Sequence, residues 1–415
     1  MADDIFSRNV KAALYDVQFD YGDPLMRWFV TEGYRITDTG QFIGECGEQL
    51  AAHGIPIWRL AYFQRTLHPE LLGYGYFWRR GGAVEVTAAD FAVLTVDDYH
   101  DNPLPKVFDQ GLTVRERLEG RGDIAAPLLR QMQREGATDY IALPVVFSDG
   151  HIDALSVTSD RPGGFSRGDL NRMYAAQFLF ARIVEIHNLR ATAVNLLDTY
   201  VGHDAGARIL EGRIKRGDGE TLHAVICFYD LKGFTQLSDN LQRDALIDLL
   251  NDYFTCIAEP AEARGGQVMK FIGDAVLLIY PLGGTATAGE TAGAALDAVT
   301  EAVAMAGSVN ARRAAAGHAT FEFGSAVHLG DVMYGNIGAP SRLDFTVIGP
   351  AVNLAQRIET LSRTLDRPVL VSAEIAQLHP DRVASLGRHP LKGLENAVEV
   401  FELRLKGSPM AHDHG

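Results

Sequence analysis

The sequence predicts an α+β protein, and three observations predict it. Short apolar runs bounded by glycine and proline alternate with longer helical stretches through the second half of the chain. Residues 170–210 keep apolar side chains at three- and four-residue spacing, the mark of a helix with one buried face. The glycine-rich, charged run "GRIKRGDGE" (212–220) then separates that stretch from the alternating second half. With 415 residues the chain is long enough for two or three domains with cores of their own. The expected division is an N-terminal domain over 1–183, a helical linker over 184–218, a C-terminal domain over 219–405 and a flexible tail over 406–415.

The elements run in chain order. A helical stretch is expected around "GEQLAAHGIPIWRLAYFQRTLHPELLG" (47–73). "DYIALPVVFS" and "IDALSVTSD" read as strands, joined as a hairpin through "FSDGHID". "DRPGGFSRGDL" reads as a loop and a helix start. Beyond 220 a strand is expected at 223–229, a long helix over 241–264, and strand, tight turn and strand in "QVMKFIGDAVLLIY". An Ala-rich helix covers 288–316, strands come next at "FEFGSAVHLG" and "DFTVIG", then a helix over 351–364 and strands at "PVLVSA" and "VEVFEL". This order fits helices layered on a mixed or antiparallel sheet.

Composition narrows the function. Acidic residues outnumber basic ones, 53 to 38, for a net charge of −15. That argues against non-specific nucleic-acid binding, which wants a basic face, and leaves nucleotides open because metal ions supply positive charge locally. Cys46, Cys227 and Cys256 are odd in number and form no CxxC, so they read as free thiols in a reducing, cytoplasmic compartment. The opening "MADDIFSRNVK" lacks a signal-peptide pattern, and no apolar run has the length of a membrane span.

Candidate chemistry begins at "FYDLKGFT". An apolar run, Ala224 to Tyr229, stops on Asp230, and Gly233, Phe234 and Thr235 follow within five residues. An acid there suits a solvated strand end or a helix cap. It also suits a metal ligand beside backbone N–H groups able to hold phosphate. Asp274 in "KFIGD" is a second carboxylate at a hairpin tip, where Gly273 permits the tight turn. If neighbouring strands carry both acids to one edge, the pair plus substrate phosphates is a usual way to hold Mg²⁺. Asn353 and Arg357, four apart in "TVIGPAVNLAQR", share a helix face, either solvated or aimed at a phosphoryl oxygen. Lys392 in "LKG" is a surface lysine or a further phosphate cation.

Taken together, "FYDLKGFT", "KFIGD", "TVIGPAVNLAQR" and "LKG" followed by "VEVFEL" resemble, in order, the catalytic domain of the class III nucleotidyl cyclases, the adenylate and guanylate cyclases. The resemblance covers 219–405, less than half of the chain. It implies a ferredoxin-like domain working as a homodimer with shared sites, and conversion of ATP to 3′,5′-cyclic AMP and pyrophosphate. It implies two divalent ions, Mg²⁺ or Mn²⁺, on Asp230, Asp274 and the Leu231 carbonyl. Lys270 and Thr346 match the base-reading pair, Asn353 and Arg357 the transition-state stabilisers, and Lys392 the lysine on the triphosphate tail. Lysine opposite adenine N1 and threonine opposite the 6-amino group pair correctly, whereas guanine presents a donor to the lysine. Asp344, two residues before Thr346 and on the same strand face, is the second candidate for base reading. Pro350 departs from the Asp or Asn often found after this glycine and is read as helix-start chemistry.

The N-terminal region, with "LPVVFSDGHIDALSV" as its central hairpin, looks like a GAF-type sensor at the level of fold analogy. It is expected to regulate the cyclase through a small-molecule or protein effector, with 170–210 either pairing as a coiled coil or packing on its own domain. His53, His68, His100, His151 and His187 read as ordinary histidines, and "AHDHG" as a frayed tail. The competing readings are a cyclase for cyclic GMP or a cyclic pyrimidine, and a non-catalytic nucleotide sensor.

Overall fold

A computed structural model describes residues 22–69, 71–95 and 101–405. The tail over 406–415, with its "AHDHG", and His100 lie outside the described residues. The chain divides into two compact units at Leu196/Leu197, within the stretch 184–218 read as the linker.

In the first unit, helices α1 (Pro24–Thr31) and α2 (Thr39–Ala52) are capped by Asp23 and Asp38, whose carboxylates accept from Leu25 N and Gln41 N. The helix expected across 47–73 stops at Ala52. Gly54 takes the left-handed conformation (φ +85°), Pro56 comes next but one, and "RLAYFQR" becomes strand β1 (Arg59–Arg65). Strands β2 (Leu71–Arg79) and β3 (Glu85–Asp90) extend one side. After helix α3 (Leu104–Gln110) come β4 (Val114–Arg117), helix α4 (Pro127–Arg134), β5 (Asp139–Val146) and β6 (Ile152–Ser159). The last two form the expected hairpin near the centre of a six-stranded sheet ordered β3-β2-β1-β6-β5-β4. All its pairings are antiparallel. Side-chain alternation divides the core. Tyr62, Trp78, Leu143 and Val157 pack with Phe42 and Ile43 of α2 and with Phe180 and Val184 of helix α5 (Arg167–Val201). Tyr140, Ala142 and Ala154 pack on the other side with Val107, Leu129 and Met132 of α3 and α4. Further along, α5 leaves Ile186, Leu189, Leu196 and Tyr200 exposed.

In the second unit, Gly202 separates α5 from helix α6 (His203–Leu210). The chain then runs β7 (Gly219–Leu231), α7 (Phe234–Asn240), α8 (Arg243–Glu262), β8 (Gln267–Ile272), β9 (Ala275–Pro281), α9 (Ala288–Ala315) and β10 (Phe323–Ala339). The order β10-β7-β9-β8 of these strands, with α8 and α9 in the crossovers, is the split β-α-β-β-α-β arrangement expected of a ferredoxin-like domain. Next come β11 (Arg342–Ile348), α10 (Pro350–Leu365), β12 (Val369–Ser372), α11 (Ala373–Leu378), β13 (Val383–His389) and β14 (Val398–Leu403). They extend the sheet to eight strands, with β12 parallel to β10 and β11 paired to the end of β10. The two-residue period of β7 sends Val225, Cys227, Tyr229 and Leu231 against α8 and α9. Ala224, Ile226 and Phe228 pack on the opposite side with Ala351 and Ala355 of α10. Each fully buried large side chain in these layers contributes roughly 1.5–3 kcal/mol.

Helix α9 is long and apolar enough, by length and composition, to cross a membrane. Here it is a core helix, begun by a Thr287–Glu290 capping box and burying Ala292, Leu296 and Val299 against the sheet. All three cysteines are free and buried.

Candidate functional site

The site grows from the end of β7. By strand alternation Asp230 shares the face of Phe228, towards α10, while its neighbour Leu231 is buried on the α8–α9 side. Tyr229 pairs with Val276 of β9, which brings Asp230 level with the turn before Ala275. That turn is Gly273–Asp274, and Gly273 adopts φ +65°, where a side chain would be strained. The Asp230 and Asp274 carboxyl groups come within hydrogen-bonding reach of one another. Burial, and next the charge of Asp274, push the Asp230 carboxyl up to about 6, against the opposing pull of Arg363.

Helix α10 supplies the other wall. Gly349 and Pro350 start it and Asp366 ends it. Its residues Glu359, Ser362 and Arg363 face the aspartates. Arg363 pairs with the Asp230 carboxylate, and its Nη2 donates to the Leu231 carbonyl at 2.9 Å. Glu359 is 2% exposed, and burial followed by the charge of Asp230 raises its carboxyl to about 7. Ser362 Oγ donates to it at 3.2 Å. Gly324 of β10, opposite Asp230 in the ladder, leaves room for this pair. A Cβ there would overlap Ser362 Oγ and crowd Glu359 Oε1.

Asn353 and Arg357 occupy the roughly opposite side of the same helix, by its 3.6-residue period. Asn353 is exposed, and the Arg357 guanidinium lies against the Lys392–Gly393 loop, 3.5 Å from where a Gly393 Cβ would sit. Lys392 is exposed beside the buried Leu391. Among the described residues, no hydrogen bond or ion pair joins Asp230 or Asp274 to Asn353, Arg357 or Lys392.

A third group forms on β8 and β11. Lys270 is ion-paired with Asp344, and the two border a cavity of about 790 Å³ walled by residues 198–205, 265–271 and Phe345. Thr346 is buried across from Gly335 of β10, on the strand face of Asp344 but outside the lining of this cavity. Gly233 precedes α7 in a left-handed conformation, and Phe234 and Thr235 form that helix's first turn.

Thus one chain brings together Asp230, Asp274 and the Leu231 carbonyl, and separately Lys270 with Asp344, and Arg357 with the Lys392 loop. Sequence reading missed Arg363, Glu359 and Gly324. The signal for the first two was the i,i+4 pair in "ETLSR", on the face away from Asn353 and Arg357. For Gly324 it was a glycine inside an otherwise apolar strand.

The oxygens of Asp230, Asp274 and Leu231 are hard donors, the set that suits Mg²⁺ or Mn²⁺. Among the described residues no group of three or more His, Cys, Asp or Glu side chains is arranged to hold a metal ion. Water and phosphate oxygens would therefore have to complete any coordination sphere here.

Residues 220–404 match the adenylate and guanylate cyclase catalytic domain. An adenylate cyclase of Anabaena cylindrica is 30% identical over 199 residues, 46% of this chain and 38% of that protein. The chain thus spans about two fifths of that curated relative's length. Among solved structures, the adenylyl cyclase CyaB from P. aeruginosa is 30% identical, over 48% of this chain and all of that one, with a TM-score of 0.40. The guanylyl cyclase Cya2 is 27% identical, over 46% of this chain and 96% of that one, also with a TM-score of 0.40.

Proposed function

Because residues 220–404 belong to the adenylate and guanylate cyclase catalytic-domain family, we propose that this protein is an adenylate cyclase, converting ATP to 3′,5′-cyclic AMP and pyrophosphate as a homodimer. The observation that carries the reading is the convergence of Asp230 and Asp274 beside the Leu231 carbonyl. Two like charges brought together at one strand end destabilise the free protein and are explained by a cation that binds there.

In the reaction the ribose 3′-oxygen bonds to the α-phosphorus, the bond from that phosphorus to the pyrophosphate oxygen breaks, and the hydroxyl proton passes to solvent water. Asp230, Asp274 and the Leu231 carbonyl would hold two divalent ions, which when bound would supply positive charge for the phosphates and lower the pKa of the hydroxyl. The chain's own groups do the positioning. Backbone N–H groups of Gly233, Phe234 and Thr235 hold phosphate oxygens, and Lys392 holds the triphosphate tail. Arg357 and Asn353 donate to charge developing on the α-phosphoryl group. Lys270 donates to adenine N1 and Thr346 accepts from the 6-amino group, while Asp344 orients the Lys270 ammonium. The opposed faces of α10 support sites shared between two chains: the face towards the aspartates and the face bearing Asn353 and Arg357 cannot both line one pocket.

The N-terminal unit is proposed as the regulatory domain, responding to an effector in the cytoplasm. The test is direct. Purified protein is incubated with ATP, GTP, CTP or UTP plus Mg²⁺ or Mn²⁺, and the product is identified by mass. Cyclic AMP from ATP is the expected result, and another cyclic nucleotide or none overturns the assignment.

A further inference from the structure

We propose that Arg363 is an internal cation that occupies the metal position of the metal-free protein and withdraws when a divalent ion enters. The inference rests on the metal reading of Asp230 and Asp274. One guanidinium nitrogen, Nη2, takes both the Asp230 carboxylate and the Leu231 carbonyl. Those are two of the three groups assigned to the metals, and they are otherwise offered to no cation among the described residues. Lys232, the nearest basic residue in sequence, points elsewhere, 3.9 Å from Glu322 and from Asp366.

Local charge explains why a cation is held there. Asp230, Asp274 and Glu359 are gathered on one edge, and like charges held close together repel one another. Without metal, a single guanidinium offsets part of that repulsion through charge-assisted hydrogen bonds. It cannot stay once a doubly charged ion takes the same oxygens, because it would then be a cation beside a cation. The fold provides the exit. Arg363 is on the last turns of α10, its side chain is 48% exposed, and it reaches water by rotating its own stem. The oxygens it releases stay in place, since Leu231 is fully buried in the core and Asp230 is fixed by the β7–β10 ladder. Metal binding is therefore an exchange of one cation for another, and Arg363 sets how much metal is needed.

The experiment titrates Mn²⁺ into the full-length protein without nucleotide and reads free Mn²⁺ by its electron paramagnetic resonance signal. Wild type is compared with Arg363→Gln, Arg363→Lys and Asp274→Asn. Removing a competing charge-assisted contact should tighten Mn²⁺ binding about tenfold in Arg363→Gln. Arg363→Lys, which keeps the charge but loses the planar fork, should tighten it less. Arg363→Gln should also melt earlier than wild type without metal and gain more from saturating Mn²⁺. If Asp274→Asn loses binding while both Arg363 variants bind like wild type or more weakly, the exchange is overturned and the metal site stands. If Asp274→Asn binds like wild type, or no form binds, the metal reading falls and this inference with it. Should Arg363→Gln not fold, Arg363→Lys decides.

Discussion

The two units treat buried acids in opposite ways. In the first, Asp139 and Asp153 are both fully buried and fully partnered. Asp139 accepts from Arg115 at 2.6 and 3.1 Å and from Phe165 N at 2.9 Å. Asp153 accepts from Tyr62 Oη at 2.6 Å and Arg65 N at 2.9 Å, and lies 3.0 Å from His151 Nε2. In the second, Asp230 is better exposed, with a side chain 24% accessible, yet it sits among further acids and meets one half-exposed arginine. An acid dispersed and satisfied locally belongs to the scaffold. Acids concentrated without matching donors mark a place kept for something the chain does not contain. Depth of burial alone does not separate the two.

That contrast is sharpest under substitution. Asp274→Ala should lower cyclase turnover by at least about 10²–10³-fold, while the melting temperature without metal holds or rises, because a like-charge contact is removed. Normal turnover would take the acid out of the mechanism, and a large loss of stability would put it in the scaffold. Co-expressing Asp274→Ala chains with Arg357→Ala chains should restore up to about half of the wild-type activity per heterodimer, since one of two symmetric sites then carries no lesion. No rescue in co-purified heterodimers would mean each site is built within one chain.

Asp139→Ala should behave in the opposite way. Leaving Arg115 and the Phe165 N–H without their acceptor should cost about 3 kcal/mol in denaturant unfolding of the first unit. A cost below about 1 kcal/mol would erase the distinction between the units. Lys270→Glu with Thr346→Cys should move preference from ATP towards GTP by about 10²-fold. If ATP preference survives, Asp344→Asn is the next variant to assay. The smallest effect concerns Glu374, a scaffold acid of the second unit. A hydrogen bond from His328, 3.4 Å away, holds its carboxyl at about 2, below the usual 4.5. Its stabilisation is present above pH 4.5 and lost as pH falls towards 2. Because Glu374 is half exposed, the loss should stay under about 1 kcal/mol. Acid-unfolding curves of Glu374→Gln should be flatter across that window.

The second unit was the more legible in sequence because its strands are short apolar runs set between long helical stretches, and its turns carry glycine. Asp230 and Asp274 could be expected at one edge from where their apolar runs stop. Other features were hidden for physical reasons. The helix expected over 47–73 failed because "RLAYFQR" is apolar on both faces and its period does not separate strand from helix. Strand β10 runs to Ala339, past the predicted end at Gly330, because glycines 330, 335 and 338 read as breaks. There they admit close backbone: a Cβ on Gly335 would overlap the Asp218 carbonyl. Arg363 was invisible because its partners are a strand end and a main-chain carbonyl, more than 130 residues away. Periodicity shows which face of α10 is polar, not what meets it.

The two-faced helix has a mechanical consequence. In a symmetric pair each α10 would act as an axle, with Glu359 and Arg363 engaged at one catalytic centre and Asn353 and Arg357 at the other. From Asn353 to Arg363 the axle is about 15 Å long, and it is stiff. Because Arg363 leaves Asp230 by rotating its own stem, the axle itself need not turn, and Arg357 keeps its place at the far centre. The two centres would be held at a fixed spacing by these helices, so that each could load metal without disturbing the posture of its twin.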